Sequence, residues 1–161
     1  MKQGLGRFAV LAGMVAGMLV AAPASAQDVL YREVVVALSG NCLDLPGWSG
    51  AKYEVLQQYD CNGGTNQQWI FRPVGDGYYN IISVHSGQCV DVPNSATYAI
   101  NVQQYPCNGQ ANQQWYYEPT TRELIARHSG MCLTTQGTAN KTKVFQGYCS
   151  YSPGQQWTLN P

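Results

Sequence analysis

The chain has 161 residues, with nine basic and nine acidic side chains and a formal net charge of zero. Charged residues make up 11% of it, well under the roughly 25% usual for soluble domains, and Gln, Asn, Ser, Thr, Gly and Tyr stand in their place. No cluster of Lys or Arg occurs, which excludes the basic footprint needed for nucleic acid or an anionic membrane surface.

Residues 1–26 begin with two basic residues, Lys2 and Arg7, run through an apolar stretch from Phe8 to about Ala22, and end in Ala24-Ser25-Ala26. This is the pattern of a secretory signal peptide with a small-x-small cleavage site. The apolar stretch is short for a span of about 20 residues, so membrane insertion is not expected. The mature chain then runs over 27–161, one domain's worth of residues. It carries seven basic and nine acidic residues, a net charge of −2, and is expected to be secreted and extracellular.

After Gln27 the strand signals follow one another. Tyr31–Leu38, Tyr53–Tyr59, Trp69–Arg72 and Tyr78–Val84 are short, rich in Val, Ile and Tyr, and bounded by Gly, Asn, Asp or Ser. Tyr98–Tyr105, Trp115–Tyr117, Glu123–Arg127, Lys143–Phe145 and Trp157–Leu159 continue the series. Ser39-Gly40-Asn41, Ser86-Gly87-Gln88 and Ser129-Gly130-Met131 are equivalent turns. No stretch shows a 3.6-residue apolar period, so the fold class is all-β.

Three copies of one phrase organise these elements: Asn66-Gln67-Gln68-Trp69, Asn112-Gln113-Gln114-Trp115 and Gly154-Gln155-Gln156-Trp157. Trp recurs at intervals of 46 and 42 residues, which marks one structural unit made three times. The units cover about 36–73, 82–119 and 125–161. Two cysteines recur in each, at separations of 19, 18 and 17. Six cysteines allow many connectivities, and the repeat selects Cys42–Cys61, Cys89–Cys107 and Cys132–Cys149. A zinc site is disfavoured, because no C-x-x-C occurs and only His85 and His128 could assist; no metal or cofactor is expected. Three units are too few for a propeller, and no polar caps close a solenoid. A closed barrel with three-fold symmetry removes the exposed sheet edges.

Gly-x-Cys-Leu/Val-Asp, then Gln-x-Tyr-x-Cys-Asn-Gly, then Asn-Gln-x-Trp is wording that resembles ricin B-type lectin domains, also known as family 13 carbohydrate-binding modules. The resemblance covers essentially all of residues 36–159. It implies a β-trefoil of twelve strands, with Trp69, Trp115 and Trp157 packed into the barrel floor. It also implies a carbohydrate partner. A pyranose stacks its C–H face on an aromatic ring, and its hydroxyls need an acceptor and an amide. On that pattern Asp44 and Asn66 bind hydroxyls, Tyr59 stacks, Gln57 lies at the site edge and Gln67 orients the carboxylate. In the second repeat Asp91, Asn112, Tyr105, Gln103 and Gln113 match position for position.

The third repeat departs from the pattern. Thr134 replaces the Asp, Gly147 the Tyr, Phe145 the edge Gln and Gly154 the Asn. Two sugar sites and one structural repeat are therefore expected; partial compensation by Tyr148, one residue off the stacking position, is the disfavoured alternative. Trp48 either extends the first platform or packs on its own loop. Gln58, Gln104 and Gln146 recur in register and suggest a symmetric hydrogen-bond ring. The ligand is expected to contain galactose or xylose. Catalysis is not expected: the two Asp belong to separate repeats, and both His sit beside turns. A protein-binding trefoil, such as a protease inhibitor or a toxin's targeting subunit, is the alternative.

Overall fold

The computed structural model describes residues 26–161; the expected signal peptide, apart from Ala26, lies outside them. Lobe 1 holds β1 (Val29–Tyr31), β2 (Glu33–Val36), β3 (Cys42–Asp44), β4 (Gln57–Tyr59) and β5 (Trp69–Gly75). Lobe 2 holds β6 (Tyr78–Ser83), β7 (Cys89–Asp91), β8 (Ile100–Asn101), β9 (Gln103–Tyr105) and β10 (Gln114–Glu118). Lobe 3 holds β11 (Glu123–Ala126), β12 (Cys132–Thr135), β13 (Val144–Gly147) and β14 (Trp157–Asn160). Each lobe thus begins a few residues ahead of its sequence unit. The fourteen segments are the twelve strands of a β-trefoil, with one strand interrupted at Arg32 and another at Val102.

Six strands close a barrel. β1 pairs with β5, β5 with β6, β6 with β10 and β10 with β11. The Trp157 N–H donates to the Arg122 carbonyl at 2.8 Å to link lobe 3's own strands, and β14 pairs with β2 to finish the ring. Inward residues alternate along β2, where Val34 and Val36 are buried and Glu33 and Val35 are not, as a half-buried strand requires.

Three hairpins, β3–β4, β7–β9 and β12–β13, cap one end of the barrel. They meet on the three-fold axis through a cyclic set of bonds. The Leu56 N–H donates to the Val102 carbonyl at 3.0 Å, Val102 to Val144 at 2.9 Å, and Val144 back to Leu56 at 3.0 Å. All three side chains are fully buried.

Trp69, Trp115 and Trp157 are fully buried in one apolar cluster. Their indole N–H groups donate to the Leu43, Val90 and Leu133 carbonyls at 3.1, 3.1 and 2.9 Å, so each large ring enters the core with its one polar atom satisfied. The disulfides join Cys42–Cys61, Cys89–Cys107 and Cys132–Cys149, one in each lobe.

Several elements differ from their sequence reading. Tyr53–Tyr59 is a strand only from Gln57 onward, because Tyr53 adopts a left-handed conformation with φ of 72°. The Cys-Leu-Asp type segments β3, β7 and β12 are strands that the sequence did not announce. At three or four residues, all buried, they show no alternation to read. The three Gln do not form a ring among themselves. The Gln58 amide donates at 3.0 Å to both the Gly137 and Ala139 carbonyls of lobe 3. Gln104 donates to Ser49 and Ala51 of lobe 1, and Gln146 to Ala96 and Tyr98 of lobe 2. Each staples its own hairpin to a loop of the next lobe, in a cycle.

Candidate functional site

The hairpin register assembles each candidate site. In lobe 1, Cys42 faces Tyr59, Leu43 faces Gln58 and Asp44 faces Gln57. Side chains alternate between faces of a strand, so Asp44, Gln57 and Tyr59 share one face, and Leu43 and Gln58 point to the other. The same register in lobe 2 groups Asp91, Gln103 and Tyr105. The Asn and Gln of each phrase arrive from a short 3₁₀ turn, Thr65–Gln67 or Ala111–Gln113.

Each carboxylate sits in a cradle of three amides. Asp44 Oδ1 accepts from Gln57 Nε2 at 2.7 Å, and its Oδ2 from Asn66 Nδ2 at 2.9 Å and Gln67 Nε2 at 3.0 Å. Asp91 repeats this with Gln103 at 2.9 Å, Asn112 at 2.8 Å and Gln113 at 3.0 Å. An ionised carboxylate buried to this degree, each Asp being 3% exposed, is stabilised by such charge-assisted bonds. A carboxylate offers about four lone-pair positions, so three amides leave room for a ligand hydroxyl. Asp44 and Asp91 both border open cavities, of about 350 and 260 Å³.

The geometry reassigns two roles. Gln57 and Gln103 are buried against the carboxylates rather than placed at the edge. Asn66 and Asn112 spend their amide hydrogens on the protein, since each also donates to a main-chain carbonyl, Leu45 at 3.2 Å or Val92 at 2.9 Å. Both therefore position the carboxylate first, and only their carbonyl oxygens remain; Asn66 Oδ1 is buried without a partner. Gln67 and Gln113 donate to the carboxylates, and each is also bonded to a main-chain carbonyl and a main-chain N–H.

The walls of the two sites come partly from neighbouring lobes, which no single repeat could disclose. Tyr53 of lobe 1 lines the lobe 2 site, its ring 5.1 Å from that of Tyr105. Hydrogen bonding with the Tyr53 side chain raises the Tyr105 hydroxyl above its ordinary pKa. Lys141 of lobe 3 lines the lobe 1 site. Tyr53 and Lys141 hold matching positions: φ is 72° and 70°, and each N–H donates at 2.9 Å to a stapling Gln carbonyl, Gln104 or Gln58. Trp48 also walls the lobe 1 site, half exposed, with its ring edge-to-face on His85 of lobe 2 at 5.3 Å. It lies so close to Gly64 that a Cβ there would approach the indole to 2.9 Å.

Lobe 3 keeps the frame without the carboxylate. Thr134 faces Phe145, and Gly147 faces Cys132. Gln155 still donates to Thr134 Oγ1 at 3.0 Å. The cavity of this lobe is wider, about 640 Å³, with Gly147 where the Tyr ring would stand, and is walled by Leu38, Phe145 and Pro153 with the exposed Tyr148 at its lining. A Cβ on Gly154 would collide with the Thr135 carbonyl oxygen, so the main chain has closed over the place an Asn would need.

The sequence pattern of the ricin-type β-trefoil lectin domain matches residues 31–157. The chain belongs to this family. Among solved structures, this ricin-type domain is similar to ThreeFoil, a designed three-fold symmetric protein, with 37% identity, a TM-score of 0.79, and coverage of 82% of this chain and 98% of that one. It also resembles part of an exo-β-1,3-galactanase from Clostridium thermocellum, at 28% identity and a TM-score of 0.76. That match covers 81% of this chain but 30% of the galactanase. The C-terminal half of the earthworm R-type lectin, solved with GalNAc, shares the fold at 14% identity and a TM-score of 0.67, over 81% of this chain and 97% of that one.

Proposed function

We propose that the protein is a secreted, non-enzymatic lectin with two sugar sites, one in lobe 1 and one in lobe 2. The observation that carries this reading is the doubled constellation of a buried carboxylate in an amide cradle beside a half-buried Tyr ring. It occurs at Asp44 and Tyr59, recurs at Asp91 and Tyr105, and is replaced as a set in lobe 3. The ring supplies a face for sugar C–H groups and the carboxylate accepts from hydroxyls. The three disulfides fit an oxidising compartment, which supports secretion. The similarity to part of a galactanase favours galactose-containing polymers as the first ligands to try, with xylose-containing ones next.

Shallow single-sugar sites bind at around millimolar, about −4 kcal/mol. Two sites on one rigid body raise avidity by roughly 10²–10⁴ when they reach the same glycan. A polymer or a glycan-coated surface is therefore the favoured target. Calorimetry with galactose and xylose oligosaccharides should give a stoichiometry near two. Tyr59→Ala with Tyr105→Ala removes surface rings and leaves the cradles, and should abolish binding at an unchanged melting temperature. Failure of the native protein to bind any glycan on a broad array would end this reading and favour the protein-binding trefoil.

A further inference from the structure

Resting on the lectin reading, we infer that the lobe 1 site selects an anionic sugar, a uronate or a sulfated residue, and that Lys141 is the residue that confers this. Three observations carry it. First, Lys141 lines the site together with Asp44 and Tyr59, although it belongs to lobe 3.

Second, its main chain is fixed there. The Lys141 N–H donates to the Gln58 carbonyl at 2.9 Å, and the preceding Asn140 exchanges bonds with Asp60 of lobe 1 at 2.8 and 2.9 Å. Asn41 adds a bond to Asn140 at 3.1 Å. The loop is docked from both sides, so an exposed and flexible side chain nevertheless starts from a defined point on the rim.

Third, the cation is not needed by the protein. The ion pairs among the described residues join Arg72 to Asp28 and Arg127 to Asp76, and Lys141 takes part in neither. Lobe 2 supplies an internal control. Asp91 is held by the same three amides as Asp44, at nearly the same distances, and Tyr53 stands where Lys141 stands in lobe 1. The cradle therefore stabilises its carboxylate without a cation nearby. Asp60, the other carboxylate near Lys141, is occupied by Asn140. The ammonium remains available to a negative group on the ligand, while the neutral hydroxyls of the same sugar meet Asp44. An exposed Lys acts as a compact point charge with three donors, suited to either a carboxylate or a sulfate.

The test isolates lobe 1 with Tyr105→Ala. Affinities for oligogalacturonate, a sulfated galacto-oligosaccharide and the neutral galacto-oligosaccharide of equal length are then compared by calorimetry. For an exposed ion pair the expected preference for an acidic sugar is about two- to fivefold. It should fall to about one on adding Lys141→Gln, persist with Lys143→Gln as the control on a neighbouring exposed lysine, and shrink toward 1 M salt, where screening acts over about 3 Å. A preference for the uronate alone narrows the ligand to carboxylates; a preference for both acids supports a plain charge contact. Equal binding of acidic and neutral sugars, or a preference that survives Lys141→Gln, overturns the inference and leaves the lectin reading intact. Binding of none of the three sugars, by the native protein as well, overturns the inference, and only failure on the broad glycan array besides overturns the lectin reading itself.

Discussion

In lobe 2 the residue facing Gln103 across the hairpin is Asp91; in lobe 3 the residue at the matching place is Thr134, facing Phe145. Three features that hold each lobe together are shared. Both have the disulfide, the buried Trp donating to a strand carbonyl, and the Gln that staples a neighbouring loop. At the site itself, what differs lies on one face of the hairpin and at the tip of the following turn. Scaffold and site therefore occupy opposite faces of the same short strands. Lobe 3 carries Thr, Gly and Gly in place of the Asp, Tyr and Asn and keeps the core contacts, so these groups are not needed for the fold.

If that separation is right, core substitutions should cost the same in both lobes. Trp115→Ala and Trp157→Ala should each lower stability by about 3–5 kcal/mol in denaturant unfolding; a large inequality would mean that lobe 3 is packed differently. Gly154→Asn should not restore a lobe 3 site. Its Cβ meets the Thr135 carbonyl, and forcing it in should cost about 1–3 kcal/mol, with calorimetric stoichiometry still near two.

Site substitutions should separate the lobes. Asp91→Ala strands the Gln103, Asn112 and Gln113 amides, at about 1–3 kcal/mol, and halves the stoichiometry. Thr134→Ala strands chiefly Gln155 Nε2, which keeps the Tyr148 carbonyl at 2.8 Å; it should cost less and change no binding. A smaller and equal loss, about 1–2 kcal/mol, is expected from Gln104→Ala and Gln146→Ala, since each removes the same pair of cross-lobe bonds.

The smallest effect concerns the tyrosine pair that lobe 3 lacks. Hydrogen bonding with Tyr53 raises the Tyr105 hydroxyl. A raised folded-state pKa gives an interaction that is present at neutral pH and is lost as pH climbs past the ordinary tyrosine value of about 10. Tyr53→Phe should bring the Tyr105 titration, followed by phenolate absorbance, back down toward that value. No change would show that the two rings act independently.

The repeat made much of this legible in advance. Trp and Cys recurring in register disclosed three lobes and within-lobe disulfides, because a residue type that recurs in register does so for a reason common to every copy, and the family resemblance added that the indoles are buried. The paired Asp, Tyr and Asn, and their joint replacement by Thr134, Gly147 and Gly154, could likewise be read from alignment of the chain with itself. The short β3, β7 and β12 strands could not, being too brief to show a period. The interruptions at Arg32 and Val102 and the left-handed Tyr53 were also hidden, since their N–H groups bond to other lobes, at Asn160, Val144 and Gln104, and local propensity does not record those partners.

What the linear order of residues determined by itself was the unit, its multiplicity and which side chains each copy carries. Tertiary structure alone decided who stands beside whom across lobes: Lys141 at the rim of lobe 1, Tyr53 against Tyr105, His85 under Trp48, and three Gln clasping their neighbours' loops. The physical reason is closure. A barrel sealed around a three-fold axis brings together residues about 40 to 100 positions apart, and no local pattern records a contact whose two partners are chosen by the geometry of the whole ring.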